Sequence, residues 1–234
     1  MKQILSRLSQ LKRDRSGVSM VEFAVTLPFF LSAGLWAVEL SNYALATMKV
    51  SQMAIHLADN ASRIGDTSVL INRKIFERDI NDVIYGSHLQ TGKALDFYNN
   101  GRAVISSLQV YDPDNDGVGT QWIMWQRCKG IKNYSSAYGS EDDGRNGSLP
   151  GMGPATERVT ALPGEAVIYV EVFYEYKPLV SRQMVPGGTL IRSQSAYTVR
   201  DRRDITAIYQ RNPGNPDPIA RCNQRDAFTD PPPT

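Results

Sequence analysis

Residues 17–48 read GVSMVEFAVTLPFFLSAGLWAVELSNYALATM, and the rest of the chain is best understood outward from this stretch. From Phe23 to Val38 no side chain is charged, and after Glu39 the uncharged run resumes through Met48. A helix crosses a bilayer with about 20 mainly apolar residues, so the stretch is long enough to span. Before it, Lys2, Arg7, Lys12, Arg13 and Arg15 face a single acidic residue, Asp14. Such a basic flank stays in the cytoplasm, which places everything after about residue 45 on the outer side.

Three processing schemes compete for this segment. An ordinary secretory signal has an apolar core of about 7–15 residues followed by a small-x-small cleavage site, and Ser32-Ala33-Gly34 imitates one, but the apolar run continues past it. An uncleaved signal anchor explains most of the pattern and leaves Glu22 unaccounted for. A carboxylate inside a membrane-facing run costs roughly 2.5 kcal/mol or more at the bilayer centre and marks a function. In the third scheme the chain is cut after Gly17, Val18 becomes the first mature residue, and Glu22 becomes the fifth.

That third arrangement resembles the type IV prepilin processing signature: a basic leader, Gly before the cut, and Glu at mature position five. Ala24-Val25-Thr26-Leu27-Pro28-Phe29-Phe30-Leu31 and then Val38-Glu39-Leu40 extend the likeness. Over residues 13–58 the chain is similar to the TadE-like family of minor pseudopilins of tight-adherence (type IVc, Flp-type) pilus systems. The resemblance implies a subunit processed by a prepilin peptidase at Gly17–Val18. It implies that Glu22 pairs with the free N-terminal amine of a neighbouring subunit and sets register during assembly. It implies other pilins and pseudopilins as partners, and a single-pass location in the bacterial inner membrane with the head in the periplasm or carried into an extracellular pilus. A bare Gly permits close approach of a peptidase to the scissile backbone. A Glu22 carboxylate sitting at the headgroup level is the plainer alternative to pairing. Pro28 removes one helical donor and is expected to bend the axis, and Glu39 reads as interfacial.

Beyond the span, Val50, Ala54, Leu57, Ala61 and Ile64 recur at three- and four-residue spacing, with Lys49, Gln52, Asp59 and Arg63 elsewhere. This predicts an amphipathic continuation that stops near Gly65. The expected organisation is a leader at 1–17, a transmembrane and amphipathic helix at 18–65, an extracytoplasmic head at 66–211 and a proline-rich tail at 212–234. In the head, Ile75, Phe76, Ile80, Val83 and Ile84 predict a second helix closed by Gly86. Strands are predicted at 102–111, 121–127, 165–176 and 189–200. In the third of these, Ala166, Ile168, Val170, Val172, Tyr174 and Tyr176 form a core face, while Glu171 and Glu175 share the other face with Val167, Tyr169 and Phe173. Residues 134–164, rich in Gly, Ser, Asp and Pro, predict a surface loop, and the tail an extended or disordered segment. The expected class is α+β and pilin-like, the long helix packed on a small antiparallel sheet.

Little else carries chemistry. The net charge of +2 over 234 residues excludes a nucleic-acid-type excess. Cys128 and Cys222 suit one disulfide outside the cytoplasm, or stand as two separate thiols; a bridge closing so long a loop would contribute roughly 4–5 kcal/mol and tie the tail to the head. Asp112, Asp114 and Asp116 alternate before Gly117 as at the start of a calcium loop, but Ile123 stands where such a loop needs a bidentate Glu, and the same residues are ordinary turn formers. His56 and His88 lack neighbours at metal spacing. Arg200, Arg202 and Arg203 read as a solvated basic cluster. No nucleophile motif and no phosphate-cradling loop occurs, so neither an enzyme nor a cofactor is expected. A signal-anchored periplasmic binding module that is never processed is the alternative to a pseudopilin.

Overall fold

The structure, a computed structural model, describes residues 17–65, 73–92, 95–114, 116–199 and 203–225. The leader residues 1–16, Arg200, Arg202 and the tail from 226 lie outside them. The described chain is α+β and divides into two compact units: one holds the chain up to Ala44 with Pro178–Gly188, the other Leu45–Lys177 with the chain from Thr189 onward. Helix α1, Val18–Arg63, runs unbroken through 46 residues and belongs to both.

In the second unit, α1 carries the stripe its spacing predicts: Ala46, Val50, Met53, Ala54, Leu57, Ala58 and Ala61 are buried, and Lys49, Gln52 and Arg63 are exposed. The end of α1 is closed from a distance. Arg203 donates through Nη1 to the carbonyls of Ala61 and Ile64 at 3.1 and 3.0 Å. The last carbonyls of a helix have no intrahelical partner and carry partial negative charge, so a guanidinium satisfies both needs. Arg203 is therefore buried rather than part of a solvated cluster.

The stretch predicted as one helix splits. Ile75 and Phe76 lie in strand β1, Arg73–Phe76, and helix α2 follows as Glu77–Thr91. Asp79 sets the junction, its carboxylate accepting the Phe76 N–H at 3.0 Å. Gly86 sits inside α2, which ends at Gly92 with φ 71°. A short helix α3, Phe97–Asn100, leads into strand β2, Gly101–Tyr111. Then come β3, Thr120–Lys129, β4, Ala166–Glu175, β5, Leu190–Thr198, and a strand absent from the sequence expectations, β6, Arg203–Tyr209. The main sheet is antiparallel in the order β3-β2-β4-β5, and β1 pairs in parallel with β6 as a separate two-stranded sheet.

Both faces of β4 are covered. On the predicted core face Ile168, Val170 and Val172 are fully buried; on the same side the Tyr174 hydroxyl donates to the Leu95 carbonyl and Gln109 of β2 to that of Ile205 in β6. The opposite face is the surprise. Residues 134–164 are the irregular, largely exposed loop expected, but a few of their apolar side chains also form a lid over it. Leu149, Met152 and Ala161 form a cluster with Leu108, Ile123, Val167 and Tyr169, flanked by Tyr138 and Val159. The lid docks on β3 through main-chain bonds, Ile123 N–H to Asp143 O at 2.9 Å and Asp142 N–H to Ile123 O at 2.8 Å. Gly144, φ +102°, permits this approach, since a Cβ there would stand 2.2 Å from the Gln121 carbonyl.

The charges of that face are met by β5 and by the chain leading into the lid. Glu171 is fully buried and its Oε1 accepts from Arg192 Nη2 at 2.6 Å. The Arg192 guanidinium lies over the rings of Tyr138 and Phe173, and Tyr134 stacks on Phe173. Glu175 pairs with Lys132 and accepts the Tyr134 hydroxyl. Burial pushes the Tyr169 hydroxyl well above its ordinary pKa, and the neighbouring Tyr138 adds to this. The tail closes the same side as far as residue 225. Cys128 and Cys222 are joined by a disulfide across 94 positions, Cys128 N–H donates to Ala220 O, and buried Arg102 donates to the carbonyls of Gly130, Cys222 and Gln224. Residues 212–225 are thus irregular, within the expectation of an extended or disordered tail, but fastened, because three main-chain carbonyls and a cysteine give a strandless segment fixed partners.

Candidate functional site on the N-terminal helix

The apolar half of α1 is the one described helix long and apolar enough to cross a membrane, with a mean hydropathy of 1.7 over its best 18-residue window. Gly17 forms an exposed turn and its carbonyl accepts the Val21 N–H at 3.1 Å, so regular helix begins at Val18. From Val18 to Leu45 the side chains are almost all solvent-facing in the isolated chain; Met20, Phe29 and Phe30 are 73–80% exposed. Burying such residues is worth about 1.5–3 kcal/mol each, so a surface of this kind calls for lipid or protein around it. Glu22 lies on this surface and is exposed.

The polar groups of this half are closed locally. Thr26 Oγ1 donates to the Glu22 carbonyl at 2.9 Å, Ser32 Oγ to that of Pro28 at 2.7 Å and Ser41 Oγ to that of Ala37 at 2.8 Å. Bonds of this type let hydroxyls sit in a helix without an outside partner.

Glu39 behaves oppositely to Glu22. It is the one fully buried residue between Val18 and Leu45. The segment Pro178–Gly188, which connects β4 to β5, folds beside it within the same unit. Glu39 accepts the backbone N–H of Val180 through Oε2 at 2.6 Å and that of Leu179 through Oε1 at 3.3 Å. One helical turn earlier, Trp36 Nε1 donates to the Met184 carbonyl at 3.1 Å. A 3₁₀ turn, Arg182–Met184, gives the segment its shape, started by Ser181, whose side chain accepts the Gln183 N–H. Glu39 was visible in the sequence as the lone charge in the apolar run. Its cradle was not, because the donors are main-chain amides of a segment with no motif of its own.

The remaining candidates lie in the head. Asp112 accepts the N–H groups of Asp116 and Gly117, and Asp116 that of Val118, so two of the three aspartates are engaged by their own turn; Asp114 is exposed. Among the described residues, no three His, Cys, Asp or Glu side chains converge as a metal-holding group. His56 lines a shallow groove of about 220 Å³ with Lys49, Gln52, Met53, Gln90 and Thr91. His88 stacks on Tyr98 at 4.0 Å between ring centroids, and burial holds its pKa below the usual histidine value, against an opposing pull from Asp96. Buried Arg127 pairs with Glu77 at 2.6 Å, which ties β3 to the start of α2, and with the more exposed Glu141 at 3.3 Å. Against known proteins, no family model, no curated protein and no solved structure matches the chain.

Proposed function

We propose that the chain is a minor pseudopilin of a tight-adherence pilus. A prepilin peptidase removes residues 1–17, the apolar half of α1 lies in the inner membrane with its start on the cytoplasmic side, and the disulfide-bonded head faces the periplasm. The observation that carries this reading is the state of the helix from Val18 to Ala44. It begins at the residue that cleavage would expose, its large apolar side chains are almost all exposed in the isolated chain, and it holds an exposed carboxylate four residues from its start. In lipid such a carboxylate becomes tolerable beside a cation, and the amine freed at Val18 of a neighbouring subunit supplies one. The size of the head, which retains an ordinary core and a lid of its own, suits a minor rather than a bulk component of a filament.

Mass spectrometry of protein purified from membranes tests this. A mature N-terminus at Val18 is expected; an intact leader would overturn processing and favour an unprocessed signal-anchored periplasmic module.

A further inference from the structure

We propose that Pro178–Gly188 is a membrane-surface loop that inserts Leu179 and Val180 into the outer leaflet of a phospholipid bilayer, with Glu39 as the latch that fixes it to the helix. The inference rests on the membrane-helix part of the function proposed above. From Val18 to Glu39 the helix rises about 32 Å at 1.5 Å per residue, against a hydrocarbon core of about 30 Å. Glu39 and its cradle therefore stand at the far boundary of the span. There the loop turns apolar side chains outward, Leu179 being 65% and Val180 40% exposed. Beside them on the helix are exposed Trp36 and Leu40, so the apolar surface of the span continues onto the loop. Residues 177–188 carry Lys177 and Arg182 and no acidic side chain, which suits the phosphates of an anionic leaflet. A tryptophan whose ring faces outward while its N–H is bonded is at home at the headgroup level.

The latch solves a specific problem. Two backbone N–H groups of an irregular segment cannot lie at membrane depth without acceptors. Glu39 supplies both acceptors, and the two amides in turn stabilise a carboxylate withdrawn from water.

The test uses full-length protein in vesicles of phosphatidylethanolamine and phosphatidylglycerol, with a nitroxide on a single added cysteine; both native cysteines are bonded and take no label. Labels are placed at Leu179→Cys, at Phe30→Cys within the span and at exposed Ser148→Cys of the head. Leu179 is expected to be several-fold more accessible to dissolved oxygen than to a water-soluble nickel chelate, as at Phe30 and opposite to Ser148. Adding Glu39→Ala, or the milder Glu39→Gln, is expected to shift the Leu179 label several-fold toward the chelate while Phe30 keeps its value. A Leu179 label that behaves like Ser148 while Phe30 stays in lipid would overturn the loop proposal alone, leaving that surface to a protein neighbour. A chelate-accessible Phe30 would overturn the membrane helix, and the loop with it.

Discussion

Residues 18–44 and 45–63 belong to one unbroken helix, yet they solve the problem of apolar surface in opposite ways. The second stretch is amphipathic: Val50, Ala54, Leu57 and Ala61 vanish into the head while Lys49, Gln52 and Arg63 meet water. The first is apolar all round, and the single side chain it buries completely is charged. A helix apolar on every side needs surroundings on every side, whereas a stripe needs only one face. Hydrophobicity alone does not distinguish the two; its angular distribution does.

The largest expected effect comes from truncating each half. Leu57→Ala should cost the head roughly 2–5 kcal/mol, while Phe29→Ala should stay within about 0.5 kcal/mol, both read from urea unfolding followed by tryptophan fluorescence. Equal losses would mean that the head's core draws on both halves. Next in size is Arg203→Ala, which leaves the carbonyls of Ala61 and Ile64 without their guanidinium. A loss of about 1–3 kcal/mol is expected, with faster amide exchange over the last turn of the second half and none in the first.

Acid should also act on the head. Burial lowers the His88 pKa, so below about pH 6.5 the unfolded chain takes up a proton more readily than the folded chain. Stability contributed by His88 is full above that pH and declines as pH falls through the depressed value. The decline in melting temperature between pH 7 and 5 should be shallower in His88→Phe. Smallest for the fold is Glu22→Ala, whose side chain is exposed. Head stability and cleavage should persist while incorporation into pili falls; normal incorporation would remove the registry role.

The four main strands were readable because alternation is a local signal, and α1 because its periodicity and its apolar length are. What escaped was non-local. Ile75 and Phe76 fit a helical face equally well until β6, more than 120 residues later, offers them a parallel partner. Leu149, Met152 and Ala161 are scattered among Gly, Ser and Pro without any period, so nothing announced a lid. Alternation sets Glu171 on a face shared with Val167, Tyr169 and Phe173, but its partner Arg192 belongs to the next strand and could not be read from that pattern. At the candidate site, Gly17, Val18 and Glu22 carried a linear pattern, whereas the role of Glu39 depends on amides 140 and 141 positions away.

That cradle has a consequence for how the molecule can vary. Every peptide unit but proline's offers the same N–H, so the grip of Glu39 on positions 179 and 180 is blind to side-chain identity. The grip itself is thus broken by only two kinds of change: a proline at either amide, and the loss of one carboxylate on a helix the loop never adjoins in sequence.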